Sequence, residues 1–453
     1  MLPKEFEDRM RQMLGEEADD FLASYDREKI TALRVNPLKG DKETFLEKGA
    51  FSLTPVPWEK NGFYYGGEDT PGKHPYHEAG VYYIQEPSAM APVPFLEVKP
   101  GERVLDLCAA PGGKSTQIAG YLGGEGLLVC NEIHPQRAKI LSENVERLGI
   151  RNAMVTNETP ARLSEVFVGY FDKILVDAPC SGEGMFRKNE DAKDEWSPEN
   201  VQLCADRQDE ILDCAAKMLK PGGRIVYSTC TFAPAENEGS ISRFVQRYSD
   251  FVIAKVGMPD GFQSGNPAYV EHSAEGIEHT MRIWPHLVQG EGHYLAVLDH
   301  VGEKVTAQVE SAGGVQKGIA MKGYKEYLAF VEDTLCEALD GIFFLFGDNL
   351  YLAPQAFPSV KGLKVLRPGL HLGTFKKNRF EPSHALALAL SADEVKNVSH
   401  ISVEDAVKYI GGQTYPCEGK GWHLICVDGY SIGWGKAAGG MMKNHYPKGL
   451  RKA

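Results

Sequence analysis

Two cysteines carry the clearest chemical signal in this chain: Cys180 in ILVDAPCSGEG and Cys230 in RIVYSTCTF. Each closes a run of apolar, β-branched residues and is followed at once by small or turn-forming ones, which predicts a thiol at the carboxyl end of each of two strands. In an open α/β sheet, ligands bind in the crevice beyond those ends. Two thiols delivered there from separate strands point to covalent chemistry, since a thiolate is a strong nucleophile. A free cysteine ordinarily behaves as a small buried hydrophobe. Cys108, Cys130, Cys204, Cys214, Cys336, Cys417 and Cys426 are read that way.

The elements that must position the thiols are legible between about 96 and 300. ERVLDLCAA reads as a buried strand, and PGGKST as a glycine-rich turn opening the helix STQIAGYL. The strand GLLVCNEI, the helix PQRAKILSENVERLGI and the short strand NAMVTNE follow. FDKILVDAPC is a fourth strand and VQLCADRQDEILDCAAKML a long helix, with a stop signal at Lys220-Pro221-Gly222-Gly223 before the strand RIVYSTC. Strands alternating with helices at this spacing predict an α/β fold with a parallel, doubly wound sheet.

The first strand-turn-helix admits two nucleotide readings. CAAPGGKS nearly matches the phosphate-binding GxxxxGK[ST] loop, but Cys108 stands where the first glycine belongs. The other reading is a Rossmann-like cofactor site, in which Gly112 and Gly113 let the backbone approach the ligand and Asp106 closes the strand. Glu132 ends the second strand, where a carboxylate can accept both ribose hydroxyls. It lies 26 residues after Asp106, somewhat beyond the usual spacing of ~20. The turn, the acid and the two thiols together favour the ribose-binding site.

With 453 residues the chain has room for about three domains. It has no stretch of 18 apolar residues, and its charged N-terminus lacks an apolar h-region, so neither a membrane span nor a signal peptide is expected. Nine cysteines without CxxC fit a reduced, cytoplasmic setting without a structural metal site. The net charge of −13 conceals an asymmetry: residues 361–380 carry six Lys or Arg and no acid, and residues 434–453 carry five and no acid. Such patches can bind phosphate backbones even on an acidic protein.

The strings DLCAAPGGKSTQ, VDAPCSGEGMFRK and YSTCTFAPAENE resemble three signature motifs of the RNA cytosine-carbon-5 methyltransferases of the NOL1/NOP2/Sun family, and YYIQEPSAMAP resembles the segment leading into their catalytic domain. LRVNP, RIWPHLVQGEGHYLAVL, LRPGLHLGTFKKNRFEPSHALAL and the tail NHYPKGLRK are similar to the bacterial F-type subgroup, whose members methylate small-subunit ribosomal RNA. The resemblance covers nearly the whole chain. It implies a Rossmann-like class I methyltransferase core over 96–300 and a small N-terminal α+β RNA-binding cap over 1–95. A connector α+β domain over 301–395 and a PUA-like RNA-binding module over 396–453 would complete the chain.

The implied reaction explains the pair of thiols. Carbon 5 of cytosine is a poor nucleophile, and a thiolate added to carbon 6 places negative charge on carbon 5. Carried over residue by residue, the resemblance makes Cys230 the nucleophile and Cys180 the residue that assists product release. Asp177 would hydrogen-bond the cytosine edge around ring nitrogen 3, and Lys114 would orient Asp177 or the base and supply positive potential. S-adenosyl-L-methionine is the implied cofactor, held by Cys108, Ala109, Ala110, Pro111, Gly112, Gly113, Lys114, Glu132, Arg137, Asn157, Asp177 and Pro179. Asn157 stands where the family often has an aspartate for the adenine, and its amide can still pair with the adenine amine. Arg187 and Lys188 are expected to contact RNA or substrate, as is the loop NGFYYGGEDTPGKHPYHEAG.

The implied partner is 16S rRNA, free or within the 30S subunit, and a monomer is expected. Two other functions remain open: the same chemistry on transfer RNA, and a non-catalytic RNA-binding ribosome-assembly factor.

Overall fold

Alternating burial builds the central sheet. In the computed structural model, which describes residues 2–188, 190–303 and 309–452, five strands run parallel. They are β1 (Arg103–Asp106), β2 (Leu127–Asn131), β3 (Ala153–Thr156), β4 (Phe171–Asp177) and β5 (Leu219–Thr229). Successive side chains point to opposite faces of a strand. Leu127, Val129, Ile174, Val176, Ile225 and Tyr227 therefore pack with helices Pro160–Val166, Pro198–Met218 and Glu238–Arg247. Leu128, Cys130, Leu175 and Val226 pack on the other face with helices Gly113–Leu122 and Pro135–Arg147. A parallel sheet covered on both faces needs this near-continuous apolar run.

The spatial order of the parallel strands is β3-β2-β1-β4-β5. The order reverses between β1 and β4, and a crevice opens at such a switch point beyond the strand ends. β6 (His293–His300) lies antiparallel beside β5. The long helix starts where the Ser197 hydroxyl accepts the Asn200 N–H at 3.1 Å with Pro198 in the first turn, a strong N-cap. It ends at Met218, so the Lys220–Gly223 stop signal falls inside β5 rather than between helix and strand. Gly223 is required there, since a Cβ would stand 2.8 Å from the Asp172 carbonyl oxygen.

The N-terminal segment supplies an antiparallel sheet of Leu53–Pro55, Gly62–Tyr65, Ala32–Val35 and Tyr82–Ile84, in that order. Its leading helices leave that sheet. Phe6, Met10 and Phe21 pack instead against Phe186, Trp196, Phe232 and Trp284 of the central domain. The connector contributes strands to two sheets. Its strand Val365–Pro368 pairs antiparallel with β3 and extends the central sheet, while a second sheet spans Ile342–Phe346, Asn349–Ala353, Leu370–Lys376 and Arg379–Pro382.

A five-stranded sheet and the helix Val403–Ile410 form the C-terminal module. Its Tyr409, Ile425, Val427 and Tyr430 share one apolar core with Leu33, Phe63, Tyr76 and Tyr82 of the N-terminal sheet. Among the described residues, no helix is long and apolar enough to cross a membrane.

Candidate active site

The ends of β4 and β5 bring the two thiols together, with Cys180 Sγ and Cys230 Sγ 3.3 Å apart. Adjacent parallel strands in register make this proximity automatic, because Asp177 pairs with Ser228 and each cysteine follows shortly after. The contact with the Cys230 sulfur, followed by burial, pushes the Cys180 thiol well above its ordinary range. Cys180 therefore keeps its proton at neutral pH and can offer it to the Cys230 sulfur.

Asp177 ends β4 beside this pair. Its Oδ2 accepts from Lys114 Nζ at 2.8 Å, and its Oδ1 accepts from Ser228 Oγ at 2.7 Å. His293 Nε2 stands 3.9 Å from the same Oδ1. Burial alone would raise the carboxyl, but the Lys114 ammonium and His293 outweigh it and hold it well below the usual range. Burial would likewise lower Lys114; its partner Asp177 raises it instead. Asp177 is thus a fixed anion and Lys114 a fixed cation, one ion pair bridging β4 and the helix Gly113–Leu122.

A cavity of about 900 Å³ opens alongside, lined by Cys108, Ala110, Glu132, Arg137, Asp177, Pro179 and both thiols, among others. Its volume lies at the upper end for small-molecule sites. Glu132 is buried at the end of β2. One of its oxygens accepts the His134 N–H at 2.8 Å, and the other lies 3.5 Å from Arg137 Nη1. Arg137 also donates to the Ala110 carbonyl at 2.8 Å, which ties the turn after β1 to the acid. A buried carboxylate facing a largely apolar slot matches a nucleoside: hydroxyls for the acid, a ring for the apolar wall. The donor set therefore fits the expected cofactor.

Several expected residues lie elsewhere. Ala109 is buried in the core beneath the turn, and Pro111 follows a cis peptide bond on the exposed side. Gly112 and Gly113 are not among the residues that line the cavity. Gly112 has φ +114°, and a Cβ there would meet Leu141 Cδ1 at 3.2 Å; at Gly113 it would meet Gln85 Nε2 at 3.2 Å. These glycines serve close packing of the turn against its neighbours.

Asn157 Nδ2 donates to the Glu132 and Ile133 carbonyls at 2.8 Å each and its backbone N–H donates to the Lys364 carbonyl, which fixes the amide beside Glu132. Thr159 and Pro160 line the cavity near that strand end. Of the seven cysteines expected to be buried, Cys336 is exposed and Cys108, Cys214 and Cys417 are half-buried.

The basic residues divide. Arg187 does not face solvent: its guanidinium is held by Glu291 at 2.8 Å and by the Ser24 carbonyl at 3.0 Å. Lys188 lies 3.7 Å from the same acid. Arg367 is buried against Glu146, whereas Lys376, Lys377 and Arg379 are exposed at a hairpin. The expected loop 61–80 instead holds the strand Gly62–Tyr65 and a short helix Pro75–Glu78, in which Tyr76 is buried and donates to Asp428 of the C-terminal module.

Ser228, His293, Glu183 and Glu236 are site residues that sequence reasoning did not single out. All four lie inside quoted motif strings, which was the available signal. Burial pushes Glu236 up to about 7 despite hydrogen bonds from Ser181 and Gln208.

Comparison with known proteins covers almost the whole chain. Residues 93–299 match the model of the 16S rRNA methyltransferase RsmB/F family. Residues 2–87, 329–390 and 396–452 match the N-terminal, first C-terminal and PUA domains of RsmF methyltransferases. Ribosomal RNA small subunit methyltransferase F of Vibrio vulnificus (strain YJ016) is 34% identical, covering 99% of this chain and 97% of that protein. Its counterpart in Shewanella baltica (strain OS185) is 31% identical, over 96% and 93%. A crystal structure of a methyltransferase homologue from Pyrococcus horikoshii superposes with a TM-score of 0.59 at 30% identity, covering 66% of this chain and 95% of that one.

Proposed function

The chain belongs to the RsmB/F family of 16S rRNA methyltransferases, and we propose that it methylates carbon 5 of cytosine in 16S rRNA through a covalent Cys230 adduct. The observation that carries this reading is the pair of sulfurs 3.3 Å apart beside a Lys114–Asp177 ion pair. Transfer to a bare carbon nucleophile needs no second thiol, whereas forming and then breaking a bond to the base gives each thiol a task.

Cys230 Sγ, as thiolate, adds to carbon 6 of a cytosine extruded from its stack, and the ring electrons move toward carbon 5. Asp177, a permanent anion, accepts a hydrogen bond from the exocyclic amine. It also accepts from ring nitrogen 3 once that nitrogen carries a proton. The second bond exists only in the activated ring, so it lowers the barrier rather than merely tightening binding. Lys114 keeps Asp177 ionised and aimed. When bound, S-adenosylmethionine supplies an electrophilic methyl group; Glu132 would take its ribose hydroxyls and the Cys108–Ala110 turn its apolar side. Solvent water, which supplies the proton on ring nitrogen 3 and takes it back, also takes the carbon 5 proton; the carbon 5–carbon 6 double bond then re-forms and Cys230 leaves as thiolate. Cys180 retains its proton and stabilises the departing sulfur by S–H donation.

The exposed Lys376, Lys377 and Arg379 offer phosphate contacts, so affinity for RNA falls steeply with salt. Bisulfite sequencing of RNA from cells with and without this protein tests the substrate. Loss of 5-methylcytosine from 16S rRNA is the expected result. Loss only from transfer RNA would overturn the assignment, and no loss at all would favour a non-catalytic assembly factor.

A further inference from the structure

The loops that carry the two thiols each contain a fully buried glutamate that the reaction does not use, Glu183 and Glu236. Glu183 lies three residues after Cys180 and Glu236 six residues after Cys230. Neither carboxylate serves mainly its own loop. Glu183 Oε2 accepts the backbone N–H of Phe232, two residues beyond Cys230, at 3.0 Å. Glu236 Oε2 accepts the backbone N–H of Ser181, the residue after Cys180, at 3.0 Å, and Glu236 Oε1 takes the Ser181 hydroxyl. The acid of each loop thus holds the backbone next to the other loop's thiol.

We infer that Glu183 and Glu236 are positioning residues whose reciprocal brace sets the distance between the Cys180 and Cys230 sulfurs. Two further bonds run across the same gap. The Gly184 N–H donates to the Cys230 carbonyl at 2.7 Å, and the Ser181 and Thr231 hydroxyls pair at 2.8 Å.

Each acid is also anchored to a rigid element. Glu183 takes Arg9 Nη2 at 2.6 Å and Trp196 Nε1 at 2.9 Å. Glu236 takes Gln208 Nε2 at 2.8 Å, and that same amide donates to the Pro179 carbonyl at 3.0 Å, next to Cys180. A buried carboxylate is costly unless each oxygen is satisfied, and here the satisfying donors lie on the opposite thiol loop, on the helices of Arg9 and Gln208, and on Trp196 in the link before the long helix. Through Arg9 and the Tyr25 hydroxyl, which donates to the Glu183 carbonyl at 3.1 Å, the N-terminal helices become part of the brace. Catalytic groups must be held within about 0.5 Å by neighbours whose own positions are locked, and this crossed pair meets that need without touching the base.

The inference rests on the two-thiol reading, but its test does not need methylation. Diamide removes two electrons and two protons from the thiol pair, leaving a Cys180–Cys230 disulfide and the reduced hydrazine. The rate of closure, read by mass spectrometry of the linked peptides in the full chain without RNA or cofactor, reports how often the sulfurs meet. Glu183→Gln and Glu236→Gln should each slow closure at least about tenfold, since displacement of about 1 Å costs that much or more. The variants should keep a native near-ultraviolet spectrum. In the methylation assay they should lower kcat while leaving KM for RNA and cofactor within about threefold.

Folded variants that close at the wild-type rate would overturn the brace. Should either glutamine variant fail to fold, Ser181→Ala carries the test. It strips the hydroxyl bonds to Glu236 and Thr231 without stranding a charge, so slower closure supports the brace and unchanged closure overturns it. A wild-type chain that closes the disulfide but methylates nothing contradicts the proposed function and leaves the brace standing.

Discussion

Replacing Lys114 with methionine removes the cation that keeps Asp177 ionised while preserving most of the side-chain volume. Unit charges 2.8 Å apart interact by on the order of 6 kcal/mol at an effective dielectric of ~20. The Asp177 side chain is 31% exposed, so solvent screening takes roughly half of that. The remaining ~3 kcal/mol corresponds to an upward move of about two pKa units. Burial already acts on Asp177 in the wild type, so losing Lys114 leaves it less opposed without adding a shift of its own.

The sign follows from linkage. A carboxyl held low in the folded state contributes stability above its unfolded value and loses that contribution as pH falls through the folded one. Lys114→Met therefore weakens the fold at neutral pH and brings Asp177 protonation into the measurable range. Carbon-13 carboxyl NMR, with Asp177→Asn identifying the resonance, should show Asp177 ionised from about pH 3 to 8 in the wild type. The variant should show it titrating, with single-turnover methyl transfer falling on the acid side in step. If Asp177 stays ionised over that range in the folded variant, the ion pair is not what sets its charge.

The other predictions concern buried charge and stability. Asp106, fully buried and lifted to about 7 by burial, binds a proton in the native state that the unfolded chain releases near its ordinary value. Its contribution is full at low pH and lost as pH rises toward 7, a fall on the order of 4 kcal/mol; Asp106→Asn should flatten the urea midpoint between pH 4 and 8. Arg282 grips Glu238 through two bonds at 2.7 and 2.6 Å, both side chains buried. Arg282→Met should cost about 3–5 kcal/mol in urea unfolding by stranding the acid, and adding Glu238→Leu should recover most of it.

The parts of this molecule that could be read from the sequence are those where local composition and burial agree. β1 to β5 are apolar runs because both faces of a parallel sheet are covered, and the thiols follow because each run stops at a turn. Val365–Pro368 was illegible for the opposite reason. It sits in a basic segment, and its place at the edge of β3 depends on Arg367 meeting Glu146, 221 residues away.

The nucleotide-loop pattern around Gly112 and Gly113 does not display a second reason for glycine there, that a Cβ at either would crowd a neighbour. Their actual neighbours, Leu141 and Gln85, lie on other elements. Glu183 and Glu236 stand among small and turn-forming residues in the sequence, and only the arrival of Arg9, Trp196 and Gln208 satisfies them as buried acids. Arg187 misled in the same way, its charge being spent on Glu291. Long-range pairing decides the state of a charged residue, and a single sequence does not display it.

The division of labour between the thiols can be tested by trapping the adduct. Cys180→Ala, incubated with 16S rRNA and S-adenosylmethionine, should accumulate a covalent protein–RNA species, because the bond to carbon 6 forms but the sulfur departs unaided. Digestion and mass spectrometry should place the nucleotide on the peptide holding Cys230, and Cys230→Ala should form no adduct. An adduct mapped to Cys180, or a Cys180→Ala variant that turns over normally without one, would contradict the account.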